Sequence, residues 1–339
     1  MDLTAFARVP LAQLPTPIEP LARLAAEAGW PGLYVKRDDM TGLATGGNKT
    51  RKLEFALGAA LAEGADTVIT AGGLQSNHAR QTAAAAARSG LRCELVLSSN
   101  APAADTPDYQ ESGNMLLDRL LGAQVEVHPA ASDRQALMAA RAEALTGDGR
   151  RPYIIPIGAS YPTGNLGYVR AALEITAQAN DMGLHFDYLV TATSSGGTLA
   201  GLAVGFAALN YPIKLIGVDV DDDSKCLSDV IMPQIEATRE LLGLDPPPAP
   251  SEIEIILGHA GGGYGHDSAD MREAVGILAS REGLLLDPVY SGKAMAGLIG
   301  LARAGRFQTH EKVLFLHTGG AAGLFGYRSY FTESRDTDS

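Results

Sequence analysis

The sequence predicts an α/β protein whose parallel sheets are covered by helices. Short β-branched runs alternate with alanine-rich stretches through most of the 339 residues, which suits strands buried on both faces by the helices that connect them. Each run is short enough to be a buried strand rather than a helix. Glycine-rich turns follow several runs directly, where a strand would pass into a helix.

Taken in order, strands are expected at 33–36, 67–70, 93–97, 125–128, 153–156, 188–192, 214–220, 253–257 and 313–316. Helices are expected between them, at 52–62, 77–88, 135–145, 166–179 and 268–281. The glycine-rich loops fall into an early set (46–51, 72–80) and a late set (194–201, 261–265, 290–293, 317–320), as two lobes enclosing one ligand would require. One lobe is placed at about 51–160 and the other at 1–50 plus 161–339, with the active site in the cleft between them. The proline-rich 245–250 segment reads as a surface loop and 332–339 as a polar tail.

Composition narrows the function. The formal charge of −12 argues against general nucleic-acid binding, which relies on excess Lys and Arg. No apolar run approaches the ~20 residues of a membrane span, and residues 1–20 lack a basic stretch followed by an apolar block, so a cytoplasmic protein without a signal peptide is expected. Cys93 and Cys226 have no spacing that suggests a disulfide or a metal site.

Four glycine-bearing segments carry the chemistry. In Gly46-Gly47-Asn48-Lys49-Thr50-Arg51-Lys52 the glycines let backbone approach a ligand just before a helix opens near Thr50. A desolvated Lys49 at the helix start loses proton affinity and becomes nucleophilic. A basic helix face in water is the other reading of Lys49, Arg51 and Lys52. In Gly72-Gly73-Leu74-Gln75-Ser76-Asn77-His78-Ala79-Arg80-Gln81, Ser76 is a natural helix cap, and Asn77, His78 and Gln81 can face a ligand. Ser194-Ser195-Gly196-Gly197-Thr198 joins a strand to a helix, so backbone N–H groups with the hydroxyls of Ser195 and Thr198 form an anion site suited to a monophosphate. This segment is neither a P-loop nor a GxGxxG turn, which disfavours nucleotide hydrolysis and hydride transfer. His317-Thr318-Gly319-Gly320 ends an apolar strand and places Thr318 where parallel sheets hold ligands. Tyr264 and Tyr290 sit on further loops, where either alone would more often be a packing residue than a catalyst.

Together these segments resemble the fold type II, tryptophan-synthase-β-like pyridoxal 5′-phosphate enzymes. Within that group they are most similar to the family of 1-aminocyclopropane-1-carboxylate (ACC) deaminase, D-cysteine desulfhydrase and L-cysteate sulfo-lyase. The likeness runs from Pro15-Thr16-Pro17 and Lys36-Arg37-Asp38-Asp39 through 46–55, 75–81, Tyr264 and 287–297 to His317–Gly320, whereas Ser194-Ser195-Gly196-Gly197-Thr198 departs from the Gly-Ser-Ala-Gly-Thr usual in the desulfhydrase and sulfo-lyase relatives. It implies two open, mostly parallel twisted sheets with flanking helices, a homodimer, and pyridoxal phosphate carried on Lys49. Asn77 would meet the cofactor 3′-oxygen, Ser195, Gly196, Gly197 and Thr198 its phosphate, and Thr318 its ring nitrogen. A neutral hydroxyl there does not hold the ring nitrogen protonated, which lets elimination compete with transamination or racemisation. Gln75 and Ser76 would hold the substrate carboxylate, with His78 and Ser291 as further substrate contacts; Lys49, Ser76, Tyr264 and Tyr290 form the catalytic set.

The expected activity is β-elimination from D-cysteine or L-cysteate, giving pyruvate, ammonia and sulfide or sulfite. ACC deamination is an alternative, weakened because Ser291 stands where the deaminase pattern has Glu. A racemase, a serine-type ammonia-lyase and an inactive ligand-binding relative complete the alternatives. A sulfonate substrate needs a second anion site, for which His78, Thr163 or Ser291 could serve; the sequence shows no spare arginine.

Overall fold

Short strands, the central ones apolar and buried along most of their length, form the two sheets of this computed structural model, which describes residues 1–27, 30, 32–99, 101–221, 227–244 and 252–332. Cys226, the 245–250 segment and residues 333–339 of the expected tail lie outside the described residues. The elements run β1 (Ile18–Pro20), α1 (Ala22–Glu27), β2 (Leu33–Lys36), α2 (Lys49–Ala62), β3 (Thr67–Gly72), α3 (Asn77–Ser89), β4 (Arg92–Leu97), α4 (Pro107–Glu111), α5 (Gly113–Leu120), β5 (Gln124–Val127), α6 (Arg134–Gly147) and β6 (Pro152–Ile154). They continue with α7 (Pro162–Asp181), β7 (Tyr188–Thr193), α8 (Gly197–Ala208), β8 (Lys214–Asp219), α9 (Leu227–Leu241), β9 (Ile253–Ile256), α10 (Ala269–Glu282), α11 (Ser291–Arg303), β10 (Val313–Leu316), α12 (Gly323–Gly326) and α13 (Ser329–Thr332).

One sheet has the order β1-β2-β10-β7-β8-β9 and the other β5-β4-β3-β6. All pairings are parallel except β1 with β2. The central strands β3 and β7 are buried along their whole length, whereas the edge strand β5 is mostly exposed. Each expected strand forms, with ends shifted by one or two residues; β1 is an addition. Its three residues carry too little pattern to read, and Pro20 suits an edge position where no ladder donor is needed.

Helix α2 packs against α7, and small residues bring them together. A Cβ on Gly167 would lie 2.3 Å from the backbone oxygen of Arg51, and one on Gly201 would lie 2.4 Å from that of Asn165, so α2, α7 and α8 stack with backbones nearly touching. This stack fixes α2, at whose first residue Lys49 stands. Among the described residues no helix is long and apolar enough to cross a membrane, and no cluster of His, Cys, Asp and Glu is placed to hold a metal ion.

Candidate active site

The carboxyl ends of β3, β7 and β10 open onto one cavity of about 870 Å³. Parallel sheets place ligands there because the helix N-termini that follow the strands point inward with unpaired N–H groups. Lys49, Ser76, Asn77, His78, Tyr264 and Tyr290 line it, joined by Ser195, Gly196, Thr198 and Thr318. Residues far apart in the sequence thus share one wall-to-wall space.

The turn before Lys49 is held from three directions. Gly47 N–H donates to the Asp38 carbonyl at 3.1 Å and Asn48 N–H to the Thr318 carbonyl at 3.0 Å. Arg80 donates to the carbonyls of Ala44 and Gly46 and to Thr45 Oγ1. Gly47, at φ +125°, leaves no room for a side chain: a Cβ would lie 2.6 Å from Gln81 Nε2. Gln81 is not a ligand contact, as the sequence had suggested; it is fully buried, and its Oε1 accepts from Thr50 N–H at 2.8 Å, capping α2 from the neighbouring helix.

Arg51 and Lys52 do not form a basic face in water. Arg51 donates twice to Asp38, at 2.8 Å each, and pairs with Glu174, which also pairs with Lys36 at 2.6 Å. Tyr168 adds a 2.6 Å bond to Asp38. Two cations and two anions thus balance in the interior, anchoring α2 to α7 and β2. Lys52 Nζ donates to Ser160 Oγ at 2.8 Å, and burial, reinforced by the charge of Lys49, holds its amine far below the ordinary lysine range.

Lys49 faces the cavity half-buried, and desolvation pushes its amine down to about 8 from the usual 10.5. His78 is kept neutral first by burial and then by the nearness of Lys49 and Lys52, which disfavours a further positive charge. Thr70 gives its hydroxyl proton to the Ile155 carbonyl, so His78 Nε2 must donate to Thr70 Oγ1 at 2.8 Å, which leaves Nδ1 as a buried acceptor without a partner among the described residues. The Tyr264 and Tyr290 rings meet edge to face at 5.8 Å, and burial raises both phenols, so each keeps its proton at neutral pH.

At the far wall, Gly196 caps α8 in the left-handed conformation, and among the described residues no side chain caps the first turn. The N–H groups of that turn therefore face the cavity as an anion cradle. A Cβ on Gly197 would lie 2.6 Å from Lys52 Nζ, which sets a lysine directly beneath the cradle. Ser195 Oγ bonds to Ser160 Oγ at 2.7 Å, and Asn48 Nδ2 donates to Thr198 Oγ1 at 3.1 Å.

The family whose members are described as "Pyridoxal-phosphate dependent enzyme" matches residues 9–319. The chain belongs to this family. Among its relatives, a protein named D-cysteine desulfhydrase from Klebsiella pneumoniae is 45% identical over 331 residues, covering 97% of this chain and 98% of that one. A solved structure described as an ACC deaminase homologue superposes with a TM-score of 0.87 at 41% identity over 96% of both chains. The solved threonine deaminase of T.th., with a TM-score of 0.64 at 22% identity over 90% of this chain and 92% of that one, shares the fold. The two-sheet architecture and the family expected from the sequence are both found.

Pyridoxal phosphate fits this cavity: an uncharged-prone amine awaits an aldehyde, and an uncapped helix start above a lysine awaits a phosphate. Two expected substrate contacts lie elsewhere. Gln75 Nε2 donates to the carbonyls of Tyr109 and Ser112 and its Oε1 accepts from Asn114 N–H, so its amide ties α4 and α5 to the turn before α3. The Ser291 hydroxyl is spent on Asp287 at 2.6 Å, within a turn in which Asp287 also accepts from Val289, Tyr290 and Ser291 N–H groups. Asp287 therefore sets the backbone on which Tyr290 stands. Neither Gln75, Ser291 nor Thr163 lines the cavity, whereas Ser76 does while capping α3 through Ala79 N–H at 3.2 Å. Lys52, Ser160 and Asp287 were not singled out in the sequence for these contacts, and Arg134, which also lines the cavity, was missed.

Proposed function

We propose that this chain is a lyase that uses pyridoxal phosphate to eliminate the β-substituent of a small cysteine-like amino acid, releasing pyruvate and ammonia. The observation that carries this reading is Lys49, with its amine near 8, sharing a cavity with the uncapped start of α8. The 45% identity to a protein named D-cysteine desulfhydrase supports the substrate class.

In this reading Lys49 carries the cofactor, the 195–198 turn with Lys52 holds its phosphate, and Asn77 and Thr318 flank its ring. When bound, the cofactor supplies an electron sink for negative charge at the substrate Cα. Ser76 and the first turn of α3 receive the substrate carboxylate, helped by the helix dipole. Lys49 removes the Cα proton, because an amine near 8 accepts one at neutral pH and returns it readily. Tyr264 and Tyr290, both protonated, donate hydrogen bonds toward the departing group. Neutral His78 adds an acceptor rather than a charge. The homodimer, the cytoplasmic location and the lobe boundaries near 51 and 160 belong to the same reading.

The test is pyruvate release from D-cysteine, L-cysteate, D-serine and ACC in parallel. Elimination from a sulfur-bearing substrate supports the proposal; turnover of ACC alone, or racemisation without pyruvate, overturns it.

A further inference from the structure

The cavity contains two anion acceptors that the proposed function uses and a third that it does not. The start of α8 takes a phosphate and the start of α3 a carboxylate. The third is Arg134, at the first position of α6, which also lines the cavity.

Its guanidinium is fixed. Nε donates to Ser98 Oγ and Nη2 to the Ser98 carbonyl, both at 2.8 Å, and Ser98 is fully buried with its own N–H on the Gly72 carbonyl at 3.0 Å. Among the described residues Nη1 has no hydrogen-bond partner. Of the acids that line the cavity, Asp133 accepts from Gln135 and Ala136 N–H groups in capping α6, and Asp221 accepts from Ser194 Oγ at 3.2 Å.

Its location is on the substrate side. A Cβ on Gly73 would lie 3.8 Å from the Ser98 carbonyl that Arg134 grips and 3.3 Å from the Tyr264 ring. Arg134 therefore borders the turn between β3 and α3 and the Tyr264 ring.

The geometry points to Arg134 as a subsite for a second anionic group on the substrate, so that the substrate is a three-carbon amino acid with an anionic β-substituent, a sulfonate or a phosphate, rather than a neutral thiol. This rests on the elimination reading above. Loss of the Cα proton leaves its electron pair to form the Cα–Cβ double bond. The Cβ–S or Cβ–O bond then breaks with its pair on the leaving group, giving sulfite or inorganic phosphate. Water converts the resulting 2-aminoacrylate to pyruvate and ammonium. Pre-fixed Arg134 suits this step because a guanidinium matches a tetrahedral oxyanion and gains strength as charge builds on it.

The experiment measures kcat/KM for pyruvate release by holoenzyme from cysteate (both enantiomers), O-phosphoserine and D-cysteine, in wild type, Arg134→Gln and Arg134→Lys. The wild type is expected to prefer an anionic substrate, and the better of sulfonate and phosphate identifies the leaving group. Arg134→Gln should lower the ratio of anionic to thiol substrate by about 10- to 100-fold, through KM for the anionic group it binds and through kcat for the charge that builds as that group leaves, as loss of one charged hydrogen bond predicts. Arg134→Lys should restore part of it. An unchanged ratio, or a wild type that prefers D-cysteine, overturns the subsite and leaves the elimination reading standing. If no amino acid yields pyruvate, the elimination reading fails instead, and Arg134 is judged on binding, from shifts of the cofactor absorption band with cysteate and with alanine. Weakening of about 10-fold or more for cysteate alone in Arg134→Gln upholds the subsite; equal weakening of both refutes it.

Discussion

The depressed amine of Lys49 makes a quantitative prediction about how the cofactor is captured. An ordinary lysine at 10.5 holds about 0.1% of its amine unprotonated at pH ~7.5, whereas one at about 8 holds about 24%. The reactive fraction is therefore larger by about 240-fold. Apo-protein freed of cofactor, mixed with pyridoxal phosphate at a series of pH values, should develop the bound cofactor's absorption band at a rate that levels off above pH ~8. A model amine under the same conditions corrects for titration of the cofactor itself. The sign for stability follows from the same cause. A lysine whose folded value lies below its unfolded value opposes folding while protonated, so apo-protein stability should rise as pH climbs from about 8 toward 10.5. A capture rate that keeps increasing through pH ~10, parallel to the model amine, would refute the desolvation argument.

Three further outcomes are expected. Tyr264→Phe and Tyr290→Phe should each retain the bound cofactor's spectrum but lower kcat, by at most the ~10²- to 10⁴-fold range of proton-transfer groups and by far less than Lys49→Ala. Asp38→Asn leaves Arg51 with one buried carboxylate instead of two and should cost about 3–5 kcal/mol in chemical denaturation, because an uncompensated buried charge remains. Lys293 Nζ donates to the carbonyls of Val220, Ala260 and Gly263, so Lys293→Met should loosen the turn bearing Tyr264, raising KM with the cofactor spectrum intact.

What could be read from the sequence was local. The strands were legible because β-branched runs such as 188–192 report burial on both faces without reference to a partner, and the turns at Gly46-Gly47 and Gly196-Gly197 because only glycine suits them. Ser76 was correctly expected as a cap because its partner is three residues away. Contacts across long separations were not legible. Gln81 looked like a ligand contact until α2 was seen to need its amide as a cap, and Gln75 until α5 claimed it. Arg134 gave no signal because its place depends on Ser98, which lies 36 residues away at the end of β4. Arg51 and Lys52 could be read as a solvated face because Glu174 and Ser160 lie more than 100 residues away and nothing local marks Asp38 as a partner of Arg51.

We propose that Lys49, and not its buried neighbour Lys52, bonds to the cofactor. Borohydride reduction of holoenzyme followed by peptide mass analysis tests this assignment. A pyridoxyl mass is expected on Lys49 alone, absent from Lys49→Ala. Label on Lys52, or none on any lysine, would contradict it.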